Sequence, residues 1–388
     1  MKTHLHLHIG LLLTLTAATC AAQIAPAPRS QRQAALDLEQ QGQNAEAETA
    51  WRAFSKAHPA DPEPYAHLGL LEARQEHFKE AVPLYRKALA LNPAVPGLRL
   101  NLGLALFKGG EVKLAIPEFK ALLKTAAPGS PDAARLTILL GMAYYGAGDY
   151  AEAAHYLKIA AVADPQNLPL RLSLAHSCLW AKQYQCVLDV YHEILTLNAE
   201  SAEADMLAGE AQDELKNHAG AIEQFRAAVR ANPREPDVHF GLAYLLWSQR
   251  QYAEAVKEFQ AELANNPNHA QAMIYEADAE MQLEHPEIAE PLLEAALRIE
   301  PGRELAHLDL GILLADAGHK DDALREMKEA VRLAPDDVNA HWRLGRLYRS
   351  MGKKDEAKAE LDKASSLTKA TDNALIDKMS GGHANPKP

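Results

Sequence analysis

The chain has 388 residues, of which 48% are hydrophobic and 24% are charged, and its formal net charge is −12. This acidic balance, without clusters of Lys and Arg, argues against binding to nucleic acid or to anionic membrane surfaces. A globular chain of this length would fold into two or three domains, whereas an array of stacked repeats escapes that expectation because its core grows along one axis.

The first 22 residues have the layout of a secretory signal peptide. Lys2 precedes an apolar run from Ile9 to Ala18, and small residues then lead to a cleavage point after Ala22. The run is too short to span a membrane as a helix. We therefore expect an exported protein, periplasmic or secreted. Cys20 leaves lipid anchoring open as an alternative.

Residues 23–30 are rich in Pro and Ala and are expected to form a linker. Beyond the linker, proline recurs at 34-residue steps, with Ala199 as an exception and one slip of four residues at the turn-forming insert 128–131. Most units also carry a Gly or Ala, a second Ala and a large apolar residue at fixed offsets, as in Gly141, Ala153 and Leu157, whereas the fifth is looser, with Val187 in place of the second Ala. Small residues on facing helices allow close approach, and Gly and Pro end the two helices. The pattern predicts a series of helix pairs.

These small, large apolar and proline positions resemble those of the tetratricopeptide repeat (TPR) family. The resemblance implies an all-α, right-handed superhelical solenoid of about ten helix-turn-helix repeats. The predicted repeats are 28–61, 62–95, 96–129, 134–167, 168–201, 202–235, 236–269, 270–303, 304–337 and 338–367. Residues 368–388 are expected to form a short capping segment, helical over 372–379, and a disordered tail.

The resemblance also implies that the first helix of each repeat, helix A, lines a concave groove. Its groove-facing positions are rich in apolar and aromatic residues, namely Leu104, Phe107, Met142, Tyr145, Leu179, Trp180, Phe240, Tyr244, Trp247, Trp342 and Arg346. Exposed apolar surface on this scale marks an interaction site, and Trp, Tyr and Arg often anchor interfaces. The alternative is that neighbouring A helices pack together and bury much of this stripe.

One ligand mode of the family holds a C-terminal carboxylate with basic and amide side chains. Its positions here hold residues without those groups, namely Glu63, Ala66, Leu70, Leu100 and Leu104. We therefore expect apolar or aromatic peptide segments of partner proteins in the groove.

An acidic patch interrupts the stripe, with Glu210, Asp213 and Glu214 in one repeat and Asp278 two repeats later. A basic residue on the partner would suit this patch, although a solvated acidic face is the alternative.

Cys178 and Cys186 lie on the two helices of one repeat, near the turn between them. The sequence leaves open whether they form a disulfide in an oxidising compartment or remain two small core residues.

Three carboxylates stand at positions that are apolar or small in most other repeats: Glu262, Glu276 and Glu280. We expect them to share a partly buried space, and calcium is the ion that all-oxygen ligands would suit. Neutralisation by Arg298 and simple exposure are the alternatives, and we expect no metal.

Motifs of common enzyme classes are absent from the sequence, including a Gly-rich phosphate loop, a zinc-protease helix and a nucleophile elbow. We therefore expect a non-catalytic interaction scaffold without a cofactor, and the oligomeric state stays open. A lipid-anchored assembly subunit of an outer-membrane machine is one competing hypothesis. An enzyme or enzyme subunit that uses the carboxylates around Glu276 is the other.

Overall fold

The computed structural model describes residues 28–197 and 201–380. The expected signal peptide, Cys20, residues 23–27 of the expected linker and the tail from Gly381 lie outside the described residues. Within the two described ranges the chain forms twenty α-helices and no β-strand, which confirms the predicted all-α class.

The described residues form two compact units, which meet in sequence between Ala143 and Tyr144. Helices of the first unit are α1 (Pro28–Gln40), α2 (Asn44–Ala57), α3 (Glu63–Arg74), α4 (Phe78–Leu91), α5 (Leu98–Lys108) and α6 (Val112–Thr125), and α7 (Pro131–Ala147) continues past its last residue. Helices of the second unit are α8 (Tyr150–Ala163), α9 (Leu168–Trp180), α10 (Tyr184–Thr196), α11 (Ala202–Glu214), α12 (His218–Ala231), α13 (Val238–Ser248), α14 (Tyr252–Asn265), α15 (Ala270–Gln282), α16 (Pro286–Ile299), α17 (Glu304–Asp316), α18 (Lys320–Leu333), α19 (Val338–Ser350) and α20 (Lys354–Ser380).

Odd-numbered helices are the A helices of the repeats, and even-numbered helices are the B helices. Every A-to-B turn contains one residue with positive φ. These residues are 34 apart, except for a step of 38 between Gly110 and Gly148 that spans the insert 128–131: Gly42, Glu76, Gly110, Gly148, Lys182, Lys216, Arg250, Glu284, Gly318 and Gly352. Glycine adopts this left-handed conformation freely, whereas each of the charged residues in that list costs roughly 1–2 kcal/mol of backbone strain. Packing on both sides of the turn therefore maintains the repeat where glycine is missing.

Each repeat core is built on a close contact between helix A and helix B. At Gly103 of α5, an added Cβ would lie 2.6 Å from Cε1 of Phe119 in α6, and the Phe119 ring is fully buried. Gly69 faces Tyr85 in the same way, and Gly209 faces Phe225. The predicted pairing of a small residue on helix A with a large one on helix B is thus observed.

Two helix ends differ from the predicted boundaries. Helix α7 begins at Pro131, three residues before the predicted repeat start at residue 134, whereas α1 begins at Pro28, where the first repeat is predicted to begin. Proline is favourable in the first helical turn because its missing N–H has no intrahelical partner there. Helix α20 runs without a break to Ser380, so residues 372–379 continue the last repeat and form no separate capping helix.

No helix within the described ranges has both the length and the apolar composition that crossing a membrane requires.

The Gly103–Phe119 contact allows a direct test of the packing rule. Gly103→Ala should lower the free energy of unfolding by roughly 1–2 kcal/mol, because overpacking outweighs the gain in helix propensity. Gly302→Ala is the control, since no atom lies within 4 Å of a Cβ added there. Urea unfolding followed by circular dichroism measures both, and equal midpoints for the two variants would contradict the packing rule.

Candidate functional site

A groove of about 550 Å³ lies along helices α9, α11 and α13 of the second unit. It brings together four residues of the predicted aromatic stripe and three of the predicted acidic patch: Leu179, Trp180, Phe240, Tyr244, Glu210, Asp213 and Glu214. Its other lining residues are Lys182, Tyr184, Met206, Phe225, Asp237, Gly241 and Leu245. Two features that the sequence treats separately therefore form one surface.

The floor of the groove depends on two glycines. The ring of Phe225 in α12 reaches between Gly209 of α11 and Gly241 of α13. A Cβ added at Gly241 would lie 2.2 Å from Phe225 Cε1, and one added at Gly209 would lie 2.6 Å from Cδ2. These contacts leave no space for a larger residue, so the two glycines and the ring set the depth of the groove.

One wall of the groove is a cluster of aromatic rings. The Tyr244 ring lies 5.7 Å from the Trp247 ring and 5.2 Å from that of Tyr275, and the Phe240 ring lies 6.3 Å from that of Tyr244. Trp247 is half-buried, and its indole N–H donates to Asp278 Oδ2 at 2.5 Å. Tyr244 keeps 38% of its surface exposed, so it is the ring of this cluster most available to a ligand.

Trp180 is the most exposed ring of the opposite wall, with 57% of its surface accessible. Its edge packs on Tyr150 at 5.0 Å, and Tyr150 in turn contacts Tyr145 at 5.6 Å. Burial, followed by the nearby Tyr150 and Glu203, raises the pKa of Tyr145. Tyr145 therefore stays a neutral, packed support for the more exposed rings.

Negative charge predominates at the surface of the groove. Its lining has four carboxylate groups, on Glu210, Asp213, Glu214 and Asp237, against one ammonium group, on Lys182. The surrounding protein desolvates Glu210 and raises the pKa of its carboxyl, an effect that His176 opposes. The groove therefore suits a cation that would restore favourable charge to Glu210.

Polar contacts orient two of these acids. Asp213 Oδ1 lies 2.6 Å from His218 Nδ1, and the Tyr184 hydroxyl donates to Glu214 Oε2 at 3.3 Å. Each carboxylate has a second oxygen, so these contacts fix the side chains without using all their acceptor capacity.

The rest of the predicted stripe lies outside this groove. Leu104, Phe107 and Met142 belong to the first unit, where Phe107 is half-buried at 6.5 Å from the Phe119 ring. Trp342 on α19 is 39% exposed, and the guanidinium of Arg346 lies 4.7 Å from its ring centre. The structure therefore divides the stripe between packing positions and an open surface.

Cys178 and Cys186 are joined by a disulfide bond, with Cα atoms 5.9 Å apart. Cys178 is in the last turn of α9 and Cys186 is in the first turn of α10. The bond closes the turn that holds Trp180, Lys182 and Tyr184 in the groove wall.

All three members of the expected cluster, Glu262, Glu276 and Glu280, are buried. Each has its own partner: Glu262 accepts the N–H of Phe240 at 3.2 Å, Glu276 accepts from Gln260 at 3.1 Å, and Glu280 lies 2.7 Å from His285 Nδ1. Burial raises the pKa of Glu276. The hydrogen bond from Gln260 opposes this shift, and the nearby Glu280 adds to it.

A different group, Asp237, Glu262 and His269, has three ligand-type atoms within 4.8 Å of one another. His269 Nδ1 accepts the N–H of Ala272 at 3.1 Å, which caps helix α15. In a neutral ring this leaves the proton on Nε2, which lies 3.1 Å from Asp237 Oδ1. The group is thus a hydrogen-bonded helix cap that needs no ion to satisfy its donors.

Sequence reasoning missed several residues of the site. Tyr275 completes the aromatic wall, and Tyr150 and Tyr184 are the first residues of B helices and support the opposite wall. A signal for the last two exists, because aromatic residues recur at 34-residue spacing just after the turn, as at Tyr184 and, two repeats later, Tyr252. No sequence pattern identifies Tyr275, since its role depends on the Trp247 and Tyr244 rings of the preceding repeat.

Asp309 of α17 is a second unusual acid near this row of A helices. It is 5% exposed, and its Oδ2 has no hydrogen-bond partner among the described residues. Burial, with a smaller contribution from Asp278 and opposition from Arg343, raises its pKa from 3.8 to about 8.

Comparisons with known proteins agree with the helical repeats. The sequence profile of the tetratricopeptide repeat family matches residues 32–96, 67–131, 100–167, 188–236, 240–304 and 308–366. The chain is 24% identical over 265 residues to BBSome complex member BBS4 of Bos taurus, which covers 68% of this chain and 49% of that protein. The chain thus spans about half the length of this curated relative.

Two solved structures are similar to this chain at low identity and low TM-score. YrrB, described as a TPR protein with an unusual peptide-binding site, is 20% identical, with a TM-score of 0.40 over 49% of this chain and 97% of that one. The APC/C hetero-tetramer Cut9–Hcn1 is 12% identical, with a TM-score of 0.44 over 89% of this chain and 88% of that one.

The raised pKa of Asp309 predicts how stability depends on pH. Between pH about 4 and about 8 the unfolded chain loses this proton and the folded chain keeps it, so the free energy of unfolding falls as pH rises and levels off above about pH 8. Asp309→Asn mimics the protonated carboxyl and should raise stability at pH 8 by a few kcal/mol, since one pKa unit is worth about 1.4 kcal/mol. Urea unfolding from pH 5 to 9 measures the difference.

Asp316→Asn, an exposed change on the same helix, is the control. If wild type and Asp309→Asn have the same pH dependence, the buried carboxyl does not titrate in this range.

Proposed function

The chain belongs to the tetratricopeptide repeat family, and from that premise we propose that it is a non-catalytic scaffold that binds a peptide segment of a partner protein. The groove along α9, α11 and α13 is the proposed binding site. One observation carries this proposal: exposed aromatic rings, Trp180 and Tyr244, share a single open groove with an excess of carboxylates. Family membership supports a protein partner and leaves the identity of that partner to the site.

The chemistry of the groove selects a particular kind of segment. Trp180 and Tyr244 offer flat apolar surfaces, which suit Leu, Phe or the aliphatic stem of Lys. Glu210, Asp213 and Glu214 then favour a positively charged end group. We propose that the ligand alternates apolar or aromatic residues with Lys or Arg and lies extended along the groove.

The proposed location is the cell envelope or the outside of the cell. The N-terminal apolar run supports export, and the Cys178–Cys186 disulfide suits an oxidising compartment. The mass of the mature N-terminus tests this proposal and its lipid-anchored alternative. A start at Gln23 supports cleavage, and an acylated Cys20 supports an anchored assembly subunit.

Photo-crosslinking in the native cell tests the groove directly. A photoreactive residue at position 244 should give a discrete adduct with the partner, because Tyr244 lies in the groove. The control probe replaces Lys257, which is exposed on helix B α14. Adducts from both positions, or from neither, would place the partner elsewhere.

Removing the two exposed rings should weaken binding without unfolding the protein. Trp180→Ala combined with Tyr244→Ala should lower affinity for a labelled peptide of alternating Phe and Lys by tenfold or more, since central aromatic anchors commonly contribute over about 1.4 kcal/mol. Fluorescence anisotropy measures affinity, and circular dichroism checks helix content. Ile288→Ala, an exposed apolar residue on helix B α16, should leave affinity unchanged. Equal affinities for all three proteins would argue against the groove.

The carboxylates should determine the charge preference. Glu210→Gln, Asp213→Asn and Glu214→Gln together should weaken binding of the same peptide about tenfold at low salt, and the difference should shrink at high salt as charges are screened. The comparison is made by fluorescence anisotropy at 20 mM and 500 mM NaCl.

A matched control removes the same number of charges from helix B α16, through Glu287→Gln, Glu290→Gln and Glu294→Gln, which are all exposed. An equal loss of affinity in this control would show that net charge alone, and no local subsite, attracts the peptide.

A further inference from the structure

The Cys178–Cys186 disulfide closes the α9–α10 turn, and that turn forms part of the groove wall. Four groove-lining residues lie between the two cysteines: Leu179, Trp180, Lys182 and Tyr184. Of the A-to-B turns that the structure describes, this is the one that contributes a turn residue, Lys182, to the lining. The cross-link and the ligand-facing residues therefore occupy the same short segment.

Trp180 stands at a repeat position where a large ring is otherwise missing. The repeat position of Trp180, at the end of helix A, holds Gln40, Arg74, Lys108, Gly146, Trp180, Glu214, Ser248, Gln282, Asp316 and Ser350. Nine of these ten residues are polar, charged or glycine, and only the disulfide-closed turn carries an aromatic residue there. An exposed Trp in place of a polar residue points to a ligand contact.

Backbone hydrogen bonds give this segment the conformation of an ordinary A-to-B turn. Lys182 adopts a left-handed φ of 59°, and its N–H donates to the carbonyl of Leu179 at 2.9 Å. Gln183 N–H donates to the Cys178 carbonyl at 2.8 Å. The remaining A-to-B turns keep the same conformation without a disulfide, so the bond is not needed to form the turn. Its added effect is to restrict how far residues 179–185 move relative to both helices.

We propose that the Cys178–Cys186 disulfide positions Trp180, Lys182 and Tyr184 as a rigid groove wall, so that the partner peptide binds tightly only while the bond is intact. This inference rests on the proposed function of the groove. The cysteines are positioning residues, since the groove lining includes neither of them. A rigid wall loses less conformational entropy when a peptide binds, and that difference is the source of the tighter binding.

The first test compares the oxidised wild type with Cys186→Ser. Cys186 is half-buried, and the change leaves the fully buried Cys178 side chain in the core. Affinity for the labelled peptide of alternating Phe and Lys should fall about tenfold, with unchanged helix content by circular dichroism. Wild type treated with an excess of dithiothreitol should lose the same affinity. In that reaction two electrons and two protons convert the disulfide to two thiols, and the dithiol reductant closes to a cyclic disulfide.

A double-mutant comparison separates positioning from stability alone. In a Trp180→Ala background, Cys186→Ser should cause much less than a tenfold further loss, because the bond acts largely through the ring that is already missing. A merely structural disulfide would instead lower the thermal midpoint of the Cys186→Ser protein while its affinity stayed at the wild-type value. That second result would overturn the positioning role.

The outcomes for the two proposals are distinguishable. Oxidised wild type that fails to bind the peptide, together with no adduct from a probe at position 244, would overturn the groove itself. Oxidised wild type that binds, with equal affinity after reduction or after Cys186→Ser, would overturn only the role of the disulfide.

Discussion

The close contact between one small residue on helix A and one large side chain on helix B is the interaction on which each repeat depends. The contact between Gly103 and Phe119 shows how little space it leaves, since a single added methyl group would meet a fully buried ring. Interiors packed at this density transmit such a change to their neighbours. This contact packs one face of helix A against helix B, so the other faces of helix A are not needed for that packing.

The groove arises where this contact is doubled. Phe225 lies against Gly209 of its own repeat and also against Gly241 of the next. The Phe225 ring fills the space that side chains at these two glycines would take, and rings from α9 and α13 border the groove above it. The glycine-to-ring contact that packs helix A on helix B therefore also forms the floor of the groove along α9, α11 and α13, which has exposed aromatic side chains.

Much of the fold could be predicted from the sequence, because the same residue types recur at the same offsets in successive repeats. The helix pairs, the left-handed turns at Gly110 and Gly318 and the small-to-large contacts all follow from residues at fixed offsets. Contacts between repeats were harder to foresee. The half-burial of Trp247 depends on Asp278 and Tyr275 of the next repeat, and the buried Glu276 accepts from Gln260 of the preceding repeat.

The repeats themselves offer a way to tell structural residues from functional ones. His239, His307 and His341 occupy one repeat position, and each lies within 2.8 Å of a glutamate nineteen residues later. A His–Glu contact that recurs at the repeat spacing links helix A to helix B in several repeats and is therefore structural. Trp180 has the opposite property, because its position holds polar, charged or glycine residues in the other repeats. Since the fold is made without an aromatic residue at that position, repeat packing does not account for the exposed indole, and this is the reason for placing Trp180 in the proposed binding site.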